Sequence, residues 1–117
     1  MNDKVHVLGV EYSIFHRTED DDANLKKCDG YCDHSTKQIV VVIYKPSTDG
    51  SIDANDFGFL EKKILRHEII HAFFYESGLW NNTNSIDGCW AKDEQMTDWF
   101  AIQFPKMLSA FQEADCL

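Results

Sequence analysis

The spacing of hydrophobic residues changes period midway along the chain. Near the start, Val5-His6-Val7-Leu8 and Val10-Glu11-Tyr12-Ser13-Ile14-Phe15 flank Gly9. The second run partly alternates apolar with polar positions, the period-2 mark of a half-buried strand. A polar stretch over residues 17–29 precedes Gly30-Tyr31-Cys32-Asp33, and His34-Ser35-Thr36-Lys37 reads as a turn. Residues 38–45 then give the strongest strand signal, because Ile39-Val40-Val41-Val42-Ile43-Tyr44 is rich in β-branched side chains. Pro46 ends that strand, and residues 47–56 form a loop dense in Gly, Asp, Ser and Asn.

From there the pattern is helical. Residues 57–77 contain no Pro, Asn55 or Asp56 can cap the start, and Gly78 stands where a helix closes on a left-handed glycine. Glu61, Lys62, Lys63 and Arg66 occupy the first turns. Beyond them Ile69, Ile70, Ala72, Phe73 and Phe74 make the helix apolar nearly all round, which predicts a buried centre. Residues 79–92 read as a polar connection. A second helix is expected from about Asp93 to Phe104, and Pro105 then kinks it or opens a further helix over residues 106–114. The expected fold class is α+β, a single domain over residues 1–117. In it a small twisted sheet from the strand-rich half (residues 1–45) packs on the first long helix of the helical half (residues 57–117).

Composition narrows the function classes. At 117 residues, with 44% hydrophobic and 13% aromatic residues, the chain can bury one core without needing disulfides. A formal net charge of −9 argues against binding a phosphate backbone, so no nucleic-acid partner is expected. No apolar run approaches the ~20 residues that cross a bilayer, so no membrane partner is expected either. Met1-Asn2-Asp3-Lys4-Val5 lacks the basic start and apolar stretch of a secretory leader, and the expected location is cytoplasmic. The acidic run Glu19-Asp20-Asp21-Asp22 has neither EF-hand spacing nor the glycine of such a loop, and reads as a solvated surface. The four cysteines, Cys28, Cys32, Cys89 and Cys116, leave three states open. They are free and partly buried thiols, disulfides, or a second metal site drawing on Cys28, Cys32, Cys89 and His34.

The chemistry lies in the first helix. His67-Glu68-Ile69-Ile70-His71 is an HExxH motif. Residues four apart stack one turn above each other, so both imidazoles project from one face and can converge on one ion. Glu68 lies about 100° further round, beside the ion, where its carboxylate can take a proton from water. The plainer reading, two core histidines and a carboxylate with no shared partner, is costly because buried polar groups need hydrogen bonds. Catalytic zinc takes three protein ligands and keeps one position open. A third is available in Glu94-Gln95-Met96-Thr97-Asp98, whose two acids share a helix face. One of them can reach the metal while the other meets a histidine ring. Asp93, one position earlier, has no such role on this reading.

HExxH followed by E-x3-D on a later helix resembles the gluzincin branch of the zincin metallopeptidases. The segment Asp98-Trp99-Phe100-Ala101 through Gln103-Phe104-Pro105 is similar to the glutamate helix of ImmA/IrrE-type zincins, and the whole pattern looks like small phage- and prophage-encoded zincin-like proteins. The resemblance covers about residues 60–105. It implies Zn2+ held by His67, His71 and Glu94, with Asp98 buttressing His67 and Glu68 as catalytic base. It further implies a peptide or protein substrate, lying along the 39–44 strand if that strand is a sheet edge; a plain core strand is an equal reading of that segment. The chain departs from the pattern in lacking a fused helix-turn-helix and an evident oxyanion stabiliser. Tyr75 is a candidate for that role, with His34 and Tyr44 beside it, although ordinary core packing is the preferred reading of Tyr75. A zincin scaffold with weak or no catalysis, acting as a protein-binding effector, is the alternative function.

Overall fold

The computed structural model describes residues 3–44, 57–82 and 90–117. The expected 47–56 loop, the caps at Asn55 or Asp56, and Cys89 lie outside these residues. The chain folds as an α+β structure, with a four-stranded mixed sheet and three helices. The strands are β1 (Lys4–Val7), β2 (Val10–Arg17), β3 (Gly30–Asp33) and β4 (Gln38–Val42). The helices are α1 (Phe57–Glu76), α2 (Leu79–Asn82) and α3 (Glu94–Glu113). No helix among the described residues is long and apolar enough to cross a membrane.

β1 and β2 are joined by Leu8 and Gly9, both at positive φ (49° and 83°), the conformation whose twist matches a two-residue hairpin. The sheet order is β1-β2-β4-β3, with β2 and β4 parallel and the other pairs antiparallel. The 39–44 strand is therefore central and does not form an edge. Its burial gives the reason: Ile39, Val40, Val41 and Val42 are all buried, as a run without polar alternation should be when both faces are covered. The edge beside it is the half-buried β3.

α1 lies on the sheet with Ile64, Glu68, His71 and Ala72 buried, a stripe at i, i+4, i+7 and i+8. Its close approach to the edge strand is made by Gly30. A Cβ there would stand 2.8 Å from both Ile64 Cγ2 and the Val40 carbonyl oxygen, and 3.5 Å from Glu68 Cγ. Gly78, at φ 84°, closes α1 as expected.

Of the two expectations at Pro105, the separate helix over residues 106–114 is not what forms. α3 is one continuous 20-residue helix with Pro105 inside it. Proline lacks the N–H that would bond the carbonyl four residues back, here that of Ala101. Arg66 Nε on α1 donates to that carbonyl at 2.6 Å, so the fully buried Ala101 has a partner after all. Arg66→Ala should cost about 1–3 kcal/mol in a denaturation experiment, the penalty for an unsatisfied buried carbonyl. In a Pro105→Ala background the cost should shrink, because the N–H restored at position 105 takes over the bond.

Candidate metal centre

α1 is wedged between the sheet and the first half of α3. Its sheet-facing stripe carries Glu68, while Lys63, Arg66 and His67 reach α3. Asp93 sets the start of α3. Its side chain accepts from Met96 N at 2.8 Å as the N-cap, and its carbonyl accepts from the buried Thr97 hydroxyl at 2.8 Å. That cap fixes the first turn, and with it Glu94, opposite the two histidines.

The three side chains converge. His67 Nε2 and His71 Nε2 are 3.0 Å apart, Glu94 Oε2 is 3.2 Å from His67 Nε2, and Glu94 Oε1 is 2.7 Å from His71 Nε2. Among the described residues, His67, His71 and Glu94 are the group of His, Cys, Asp or Glu side chains close enough to hold a metal ion. Ligand atoms around a tetrahedral ion at zinc-like distances sit about 3.3 Å apart, so these separations need little adjustment. Burial is the largest influence on His71 and pushes its pKa below the usual histidine range, partly opposed by Glu94, a direction that favours the neutral ring. Its Nδ1 is buried and has no hydrogen-bond partner. The Glu94 side chain is 72% exposed, so the cluster opens to solvent on that side.

Asp98 stands one turn beyond Glu94. Its Oδ1 lies 3.2 Å from His67 Nδ1, which leaves His67 Nε2 directed at Glu94 and His71. Burial works against its charge, but the contacts with Lys63 and His67 outweigh burial and hold the carboxyl below the usual carboxylate range. Lys63 joins this contact as well. Its ammonium donates to the same Asp98 oxygen at 2.9 Å, and its position four residues before His67 was the available signal.

Glu68 is buried between Ile64 and Ala72, at 6% exposure. Burial foremost, and then the charge of Glu94, push its pKa up to about 8. Tyr75 is placed differently from His67, His71 and Glu94. Its ring stacks on His34 with centroids 4.2 Å apart, and the Lys37 ammonium lies over its face at 4.8 Å. Lys37 in turn binds Glu76, which also accepts from the Tyr12 hydroxyl at 2.7 Å, so this cluster ties the β3–β4 turn to the end of α1. Trp80 links it to the centre, meeting both His34 and His71 edge-on.

Of the cysteines, Cys28, Cys32 and Cys116 are free. Cys32 Sγ lies 3.5 Å from His34 Nδ1, and burial pushes the thiol up to about 12. Cys28, Cys32 and His34 do not converge as a second metal group. Tyr44 lies beside Phe57, at the opposite end of α1 from His34. The acidic run is engaged locally: Asp22 pairs with Arg17 and Tyr31, and Asp21 accepts from Thr18.

Comparison with protein-family models, curated proteins and solved structures finds no match to this chain.

Proposed function

We propose that this chain is a zinc-dependent peptidase of minimal, gluzincin-like type. The observation that supports it is the convergence of His67, His71 and Glu94 within hydrogen-bond distance of one another, beside a buried carboxylate on the same helix. When bound, zinc would polarise the substrate carbonyl and bring the pKa of water towards ~7. Asp98 holds the His67 ring with Nε2 free for the ion. Glu68 receives the proton of the attacking water and returns it to the departing amine. In the metal-free chain burial raises the Glu68 pKa to about 8, and a bound cation beside it would favour the carboxylate that the first step requires.

The substrate on this reading is an extended peptide added to β3. The Val42 N–H donates to the Asp29 carbonyl at 2.9 Å, so alternation puts Tyr31 and Asp33 in the hydrogen-bonded pairs with β4. The amide groups of Gly30 and Cys32 then face away from β4; the Gly30 N–H is already met by the Cys28 thiol, which leaves the Cys32 amide for strand addition. An open groove of about 630 Å³ runs along this edge, lined in part by Tyr31, Cys32 and His34.

The test is turnover of a quenched-fluorescent peptide library at neutral pH, with zinc supplied at one ion per chain. Hydrolysis should disappear with phenanthroline and return with added zinc. A fully loaded protein that cleaves nothing would contradict the enzymatic reading and leave a zinc-containing binding scaffold.

A further inference from the structure

One carboxylate oxygen serves two partners. Asp98 Oδ1 is 3.2 Å from His67 Nδ1 and 2.9 Å from the Lys63 ammonium, and both partners stand on α1 one turn apart. The Lys63 side chain is only 23% exposed, so its charge is held against Asp98 and is not free in solvent. A carboxylate that orients a ligating histidine also raises the basicity of that ring, and so strengthens its bond to the ion. A cation on the same oxygen draws charge the other way and competes for its lone pairs.

We propose that Lys63 is a positioning residue that moderates metal affinity: by neutralising Asp98 it limits what Asp98 lends to His67. The inference rests on the reading of His67 as a ligand. Arg66 makes its own bond from α1 to the Ala101 carbonyl, so the α1–α3 contact does not depend on Lys63 alone. Removing the Lys63 charge leaves Asp98 an uncompensated anion whose remaining partner is the histidine.

The test measures Zn2+ affinity of the full chain by competition with a chromophoric chelator. Lys63→Met should bind zinc about three- to tenfold more tightly, a smaller effect than the ~10–100-fold of an outer partner that touches the histidine directly. Lys63→Arg keeps the charge and should restore wild-type affinity. In an Asp98→Ala background, the gain from Lys63→Met should fall by more than half on a logarithmic scale, because the route through Asp98 is gone. Lys63→Gln serves as a second neutral variant, with folding of each checked by circular dichroism. A folded Lys63→Met with unchanged or weaker affinity overturns the inference while leaving the metal site standing. So does an equal gain in both backgrounds, which would mean charge acting at a distance. Failure of the wild type to bind zinc would overturn the inference together with the reading beneath it.

Discussion

Glu68→Gln should keep the metal, lose hydrolysis, and make the metal-free protein melt at a higher temperature. On the proposed reading, loss of the general base costs about 10²–10⁴-fold in rate, while the proposed ligands His67, His71 and Glu94 are untouched. The stability gain follows from burial. The pKa of Glu68 is raised from 4.5 to about 8 on folding, so the folded chain holds a proton that the unfolded chain releases between those values. Stability therefore falls as pH rises from about 4.5 to about 8, and the whole penalty is present above that window. Glutamine carries no such penalty. At neutral pH the difference is on the order of 3 kcal/mol, or roughly 10 °C for a domain of this size. It should vanish under acid, where both forms are neutral, and narrow when a cation beside the carboxylate favours its charge. Calorimetric melts of both proteins across pH measure this. A Gln variant that melts no higher at neutral pH would contradict the burial of Glu68, and one that still hydrolyses peptide would contradict its role as base.

Glu94→Ala should reduce zinc affinity more than any substitution outside the two histidines, because it removes a ligand outright. Asp98→Ala should cost about 10–100-fold, since it frees the His67 ring without removing a ligand. Asp93→Ala is not a neutral comparison, contrary to what position alone suggested. It is the N-cap of α3, accepting from Met96 N, and its loss should cost about 0.5–2 kcal/mol of helix stability directly beneath Glu94. The exposed Gln95 is the better control. Titration against a competing chelator gives all four affinities. Wild-type affinity in Asp98→Ala would mean that its 3.2 Å contact with His67 contributes nothing to metal binding.

What could be read from sequence was mostly local. HExxH speaks through i, i+4 geometry alone, and the strands, the closing glycine of α1 and the start of α3 follow from short-range pattern and capping. The pair Glu94 and Asp98 became interpretable only through resemblance, because E-x3-D says that two acids share a face and not which helix faces them. Long-range placement was the harder part. For the 39–44 segment the sequence leaves edge and core strand equally open, and the sheet order decides for the core strand that the unbroken apolar run from Ile39 to Val42 suits. Whether Pro105 kinks the helix or starts a new one is not legible locally, because the partner of the freed carbonyl, Arg66, lies 35 residues away. The burial of Glu68 depends on how closely Gly30 lets the edge strand approach α1, which no periodicity shows. Lys63 was counted among the charges of an outer turn, and its engagement with Asp98 needed the packing of α1 on α3.

The central claim is that His67, His71 and Glu94 together hold one zinc ion. X-ray absorption at the zinc edge, on protein purified with its metal and quantified per chain, tests it most directly. The account predicts one zinc per chain in a shell of nitrogen and oxygen atoms at about 2.0–2.1 Å, with imidazole scattering from two histidines and no sulfur. A sulfur shell at about 2.3 Å would instead place the metal on the cysteines, and either that result or a chain that retains no zinc would contradict the account.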